Sequence, residues 1–303
     1  MPLSILVIIL MAVAPALGWI AVYYYLDSRD PEPKVAILVS VILGMLSTMP
    51  IFAMQYIFET FPDFDLLSII QGKVGSPFTF AVGFLVFVAV LEEFSKGVAF
   101  LCSERIHQKV FNQVVDGIVY AACVGLGFAI AENIYYFVRA METFEWSSEF
   151  IAIFTIRSFG TMLAHSLFSG LFGFYFAKAY FAPFLEVDPK ERPSFLRRFP
   201  KNVKKAIKLN ATFFYLMPKD SRVDMEIERN ATIIEGFIVA MFLHFVYNFL
   251  IKIELFGQHW TFLIVPLVFI MCWFVWSRFF AHMYIRIVDF VRVRRDVYRV
   301  KMH

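Results

Sequence analysis

The residues with chemical potential in this chain stand inside long apolar runs, where ionisable groups are least expected. The run Leu91-Glu92-Glu93-Phe94-Ser95-Lys96-Gly97 sets two carboxylates and an ammonium between apolar stretches. Glu92 and Lys96 are four apart and share a helical face. A charge at the centre of a bilayer costs roughly 2.5–3.5 kcal/mol on insertion scales, so each one needs a reason. Lys96 partly neutralises the pair, yet two adjacent carboxylates in a low dielectric do not both ionise easily. A structural ion pair needs one Glu and one Lys. The second Glu is surplus to that need and points to chemistry.

Three further groups follow. Glu132 and Asn133 end the stretch Gly127-Phe128-Ala129-Ile130-Ala131-Glu132-Asn133, after the small residues Ala121, Ala122, Gly125, Gly127, Ala129 and Ala131 that let a neighbouring helix approach closely. The plain alternative for this pair is an interhelical hydrogen bond, worth about 1 kcal/mol. Arg157 and His165 share the next apolar run. There the histidine is either a site residue or a hydrogen-bonded packing residue, and the arginine is either a charge partner or an interface residue. His244 and Asn248, four apart on one stripe, can aim an imidazole and an amide at one oxygen. Asp116 and Glu235 lie nearer the ends of their apolar runs and read as boundary residues.

Carboxylates, histidines and an asparagine meeting inside a membrane suit water activation and oxyanion stabilisation, the requirements of peptide-bond hydrolysis. Neither a G-x-S-x-G serine elbow nor an H-E-x-x-H zinc helix is present. Ser166 follows His165 directly, and helical neighbours point apart. No cofactor is expected, with zinc as the alternative, since Glu and His can ligate it. Two other functions use the same residue types: a proton-coupled transporter, against which no inverted repeat is visible, and a non-catalytic receptor or scaffold.

The elements that must position these groups are transmembrane helices. Apolar residues make up 60% of the chain and charged ones 17%, with a mean hydropathy of +0.68. Soluble domains hold roughly 45–50% apolar and 25% charged residues, so a soluble globular domain is excluded. The 38 phenylalanines suit lipid-facing surfaces. Cys102, Cys123 and Cys272 form no C-x-x-C pair and read as small buried hydrophobes. A span needs about 20 apolar residues. The chain is therefore expected to be an all-α, multi-pass bundle of about seven spans: Leu3–Tyr25, Val35–Phe58, Phe78–Cys102, Asp116–Phe137, Phe150–Phe181, Ala231–Ile253 and Trp260–Tyr284. The fifth is long enough to tilt, kink or extend beyond the bilayer. Met1 to Ile20 lacks a basic flank and reads as a retained first helix.

Lys and Arg concentrate in the odd loops and the tail, above all between Ala182 and Asn230, where Lys190 to Arg229 supply eleven of them. By the positive-inside rule this puts the N-terminus outside and the C-terminus in the cytoplasm of a cell-membrane protein. The chain reads as one membrane domain, 1–303, with a helical core over 77–253, a basic cytoplasmic loop over 182–230 and a basic tail over 285–303. The stretch Arg197–Lys208 is either an amphipathic helix on anionic lipid or a topology signal alone. The loop Glu59–Pro77 has an apolar centre, Leu66–Ile70, suited to the outer interface. The expected partners are the bilayer and a single-span membrane protein, with no nucleic acid. At 1.5 Å per residue, Glu92, His244 and His165 lie roughly 17, 20 and 24 Å from the cytoplasmic ends of their spans, and Asn248 and Glu132 roughly 25 Å. Spans three to six can bring them to one depth.

Taken together, E-E-x-x-K at Glu92–Lys96, F-A-x-x-E-N at Phe128–Asn133, the intramembrane His165, and H-x-x-x-N at His244–Asn248 resemble the PrsW family of intramembrane proteases. That family is similar to the type II CAAX prenyl endopeptidases and the bacteriocin-immunity membrane proteins. The resemblance implies a bacterial, glutamate-dependent protease that makes the first cut in a membrane-anchored anti-sigma factor and so starts a stress response. It implies that Glu92 or Glu93 activates water with a histidine, and that His244 and Asn248 stabilise the oxyanion. Lys96 would orient or neutralise the glutamates, with Phe128, Glu132 and Asn133 in support. The prenyl endopeptidases carry a His where this chain has Glu132, and His165 would take that role.

Overall fold

In the computed structural model, the described residues are 2–27, 31–61, 63, 70–72, 76–181, 222–252 and 264–282. Most of the basic loop, the basic tail, Arg197–Lys208 and nearly all of the Leu66–Ile70 stretch lie outside them. The elements are α1 (Pro2–Leu26), α2 (Lys34–Leu46), α3 (Met49–Thr60), α4 (Pro77–Ile106), α5 (Val114–Phe144), α6 (Ser148–Thr155), α7 (Met162–Phe181), α8 (Arg222–Lys252) and α9 (Ile264–His282). A π-helical turn, Ile156–Thr161, joins α6 to α7. Among the described residues, six helices are long and apolar enough to cross a membrane: Ile5–Leu26, Lys34–Thr60, Pro77–Ile106, Val114–Phe144, Ser148–Phe181 and Arg229–Lys252. The seventh expected span corresponds to α9, whose apolar stretch Pro266–Ser277 is shorter.

Helix α5 is the axis of the bundle. It packs most extensively on α7 and α2, while α8 packs on α7 and α4. Its small residues explain the closeness, because lipid offers no hydrophobic drive for helix association and contact must come from packing. Gly173 of α7 lies against the backbone of Gly117, and Gly44 of α2 against that of Val124, so that a Cβ at either place would overlap a carbonyl. Gly127 meets the backbone of Val41 in the same way. The outer faces carry large apolar side chains such as Phe87, Phe94 and Phe242, as lipid contact requires.

Two of the expected spans are not regular. The second breaks at Ser47–Thr48, before Pro50 in the first turn of α3. The hydroxyls of Ser47 and Thr48 donate to Gly44 O (2.6 Å) and Met45 O (2.7 Å), second donors to carbonyls that also accept from the Ser47 and Thr48 N–H groups at 3.2 and 3.3 Å, so both hydroxyls are satisfied within the apolar span. No residue of α3 is buried. The fifth span kinks where the π turn widens it. Asp116, expected at a boundary where its charge could reach water, is instead buried, and Oδ2 accepts from the Asn112 and Gln113 N–H groups at 2.6 and 2.7 Å. It caps the N-terminus of α5, an arrangement that suits a carboxylate there. Cys123 and Cys272 are buried as expected, but Cys102 is on the outer surface.

Replacing Gly173 by valine should lower the unfolding temperature in detergent by about 3–10 °C, from an overpacking cost of about 1–3 kcal/mol. Gly83→Ala, whose new Cβ meets nothing within 4 Å, should leave it unchanged. Equal melting of both variants would refute the role given to the small-residue seam.

Candidate active site

Four elements deliver the polar residues to one buried cluster. Helix α4 supplies Glu92, Glu93 and Lys96, all buried. Helix α5 supplies Phe128, Glu132 and Asn133, helix α7 supplies His165, and helix α8 supplies His244. Lys96 sits in the middle. Its Nζ donates to Glu93 Oε1 at 2.5 Å and lies 3.0 Å from His165 Nδ1, with the Phe128 ring centroid 4.8 Å away. Glu93 Oε1 also meets His244 Nδ1 at 2.7 Å. His165 Nε2 meets Glu132 Oε2 at 3.0 Å.

The partners fix the tautomers. An ammonium only donates, so His165 Nδ1 accepts and its Nε2–H is given to Glu132. A carboxylate accepts, so His244 Nδ1–H is given to Glu93 and the Nε2 lone pair is left open. That Nε2 faces Glu92 Oε2 at 3.6 Å, too far for a hydrogen bond. Glu92 Oε2 is buried and has no hydrogen-bond partner among the described residues. The His165 and His244 rings meet edge to face at 5.1 Å, and Phe168, one helical turn from His165, stacks on His244 at 4.9 Å.

Arg157 is a charge partner and not an interface residue. From the π turn its Nη2 reaches Glu132 Oε2 at 2.8 Å. Its Nε donates to Asn133 Oδ1 at 2.9 Å, and its guanidinium lies 3.7 Å from the Tyr136 ring centroid. Asn133 is therefore tied to the arginine and not to the histidines. Ser166 points away from the cluster, donating to Leu163 O at 2.7 Å and contacting Tyr23 Oη at 3.1 Å. The Arg157–Asn133 link and the stacking of Phe168 had no motif to announce them. The only sequence signals were a charge inside an apolar run and the three-residue spacing of His165 and Phe168.

The cluster floors a cavity of about 810 Å³. Glu92, Phe128, Glu132, Arg157, His165, His244 and Asn248 line it, whereas Glu93, Lys96 and Asn133 stand behind the lining. The two adjacent glutamates are thus separated: Glu92 faces the open space and Glu93 holds the histidine. Glu92, His165 and His244 each present a ligand-type atom, and these atoms lie within 4.8 Å of one another. One carboxylate with two imidazoles is a donor set zinc accepts. The orphaned Glu92 oxygen and the open His244 Nε2 fit it, as does the carboxylate of Glu93 behind His244, which is how metal-binding histidines are usually oriented; His165 would join them only by releasing Lys96 or Glu132, since both its nitrogens are engaged.

A bundle of apolar, membrane-length helices enclosing a Glu/His cluster defines a polytopic membrane protein with a site inside its spans. The model of the PrsW family, described as intramembrane metalloproteases, matches residues 32–197. The chain is 34% identical over 171 residues to Protease PrsW of Geobacillus kaustophilus, covering 56% of this chain and 65% of that one. It is 32% identical over 167 residues to Protease PrsW of Oceanobacillus iheyensis (55% and 66%). It is 31% identical over 175 residues to that of Bacillus subtilis (58% and 70%). The chain belongs to the PrsW family and is a multi-pass protein of the bacterial cell membrane. It spans slightly less than two thirds of the length of the first two relatives. Glu92, Glu132 and His165 fall within the matched residues, and His244 and Asn248 beyond them. No solved structure matches the chain.

Arg157→Met strips Glu132 of its cation and should cost about 1–3 kcal/mol of stability, since a partly buried carboxylate is left with the His165 N–H alone. Adding Glu132→Gln should recover part of that loss, giving a non-zero coupling in a double-mutant cycle of detergent unfolding. Strict additivity would mean that the ion pair contributes nothing.

Proposed function

We propose that this chain is an intramembrane endopeptidase that cleaves a single-span membrane protein, such as a membrane-anchored anti-sigma factor, in regulated proteolysis. The observation that supports this most is the Glu92 carboxylate. It is buried, on the cavity floor, with an oxygen that accepts no hydrogen bond from the described residues and that faces the open nitrogen of His244. A water between them would give one proton to Glu92 while His244 Nε2 accepts a hydrogen bond from the other. The water oxygen attacks the scissile carbonyl carbon, and the carbonyl oxygen takes up the negative charge. Asn248, one helical turn from His244 and on the cavity wall, donates to that oxygen. As the C–N bond breaks, Glu92 returns the proton to the departing nitrogen. Glu93 keeps the His244 ring in its tautomer, and Lys96 and Glu132 hold His165 on the far side of the water.

A second reading rests on Glu92, His165 and His244 and on the description of the family as metalloproteases. Glu92, His165 and His244 would hold a zinc ion, which when bound supplies Lewis acidity and a more acidic water. Glu93 would then serve as the carboxylate behind a liganding histidine.

Reconstituted enzyme with a panel of single-span substrates separates these readings. Glu92→Gln should lower the cleavage rate by at least about 10²-fold, Glu93→Gln by about 10–100-fold, and Asn248→Ala by about 10²–10³-fold. Cleavage indifferent to chelator supports activation by the glutamate alone. Loss with chelator, restored by zinc, supports the metal reading. Undiminished cleavage by Glu92→Gln would overturn both.

A further inference from the structure

If the chain is a protease, the cavity also restricts what it cuts. The cavity runs from the Glu92–His244 floor to a rim carrying Glu59, Arg139 and Lys252. From Glu132 to Arg139 is seven residues along α5, and from His244 to Lys252 eight along α8; at 1.5 Å each the rim stands about 10–12 Å above the floor. A substrate helix keeps its carbonyls bonded to its own N–H groups, so a peptide bond offered to the floor comes from unwound chain. Unwound chain inside a bilayer needs partners for its backbone polar groups. The walls carry polar groups that would exchange their present bonds for backbone ones: Gln55 donates to Tyr135, Thr161 contacts Tyr247 Oη at 3.2 Å, and Tyr136 lines the same space, among apolar neighbours such as Phe84 and Val88. Extended chain covers 10–12 Å in three to four residues, at about 3.3 Å each.

The rim has a sign. Its described lining residues comprise two cations and one carboxylate. Arg139 is shared at 3.8 Å with each of Glu59 and Glu142, all three being more than half exposed. Lys252 Nζ lies 5.5 Å from the Phe84 ring centroid. We propose that the cavity takes an extended, largely apolar segment of a membrane protein flanked by an acidic residue. Lys252 engages that residue and sets the cut three to four positions inward from it. Lys252 is thus a specificity-determining residue of the site described above.

The test uses full-length enzyme in vesicles and a single-span substrate series. An aspartate is placed two to seven positions from one fixed apolar stretch, with asparagine and lysine counterparts. Cut positions are read by mass spectrometry and rates by gel. The cut should move with the aspartate and stay three to four residues from it. Wild type should prefer Asp over Lys flanks by about two- to fivefold, the strength of an exposed ion pair. Lys252→Glu should reverse that preference, and Lys252→Gln should abolish it without changing the unfolding temperature. Cuts that stay put as the aspartate moves, or a preference unchanged in Lys252→Glu, would overturn the proposal while leaving the protease reading standing. No cleavage of any substrate by wild type, with Glu92→Gln indistinguishable from it, would remove the protease reading and this inference together.

Discussion

One cation holds the site together. Lys96 is almost wholly buried, and its ammonium ties Glu93 on its own helix to His165 on α7. Through Glu93 the link continues to His244 on α8, and through His165 to Glu132 on α5. Removing the lysine would strand a carboxylate and reset both imidazoles, because each ring's tautomer is set by what its other nitrogen touches. In a medium where an isolated charge is so costly, this pairing accompanies a second glutamate, Glu92, one of whose oxygens has no hydrogen-bond partner among the described residues.

The rest of the bundle can be understood as the means of bringing that cation to its partners. Interhelical approach in lipid depends on close backbone contact, and α5 provides it on two sides through its contacts with Gly173 of α7 and Gly44 of α2. Gly125 of α5 lies against the backbone of His165 itself. The spacing of the small residues therefore sets how deeply the histidine reaches between Lys96 and Glu132. Just beyond this tight seam, three residues after Gly44, the second span breaks, and α3 has no buried residue. It is held to α5 by the Gln55–Tyr135 hydrogen bond, the Glu59–Arg139 pair and the contact of Phe52 with Tyr135 at 5.4 Å. The cavity occupies the space between. Tight packing along α5 and a break in the second span let one small bundle hold a fixed cluster and an open volume together.

Much of this was legible in the sequence. Apolar length identified the helices, and the charges misplaced inside them identified the cluster, because the bilayer makes every such charge conspicuous. The division between the two glutamates was not legible. Glu92 and Glu93 are neighbours in sequence, and only the arrival of His244 at Glu93 tells them apart. Asn133 could equally have faced the histidines; its attachment to Arg157 depends on a widened turn that no residue pattern announced. Asp116 looked like a residue reaching water, yet it caps α5 in the interior, since capping depends on where the chain turns and not on hydropathy. The helix ends were also longer than hydropathy suggested: α4 runs to Ile106 and α5 to Phe144, as helical hydrogen bonding continues after the apolar run stops.

The π turn at Ile156–Thr161 bears on descent as well as on geometry. Such a turn carries a surplus residue within an otherwise regular helix. Arg157, near its start, and His165, four residues past its end, both reach Glu132. A π turn takes up its surplus by widening, so the regular helix on either side keeps its facing. A one-residue deletion between 158 and 161 would return the turn to a regular α-helix with its flanks in register and bring Arg157 one rise of about 1.5 Å closer to His165. A lineage that lost the residue would keep every motif letter and change the spacing between the two. When related chains are compared, the length of this stretch is thus as informative as its letters.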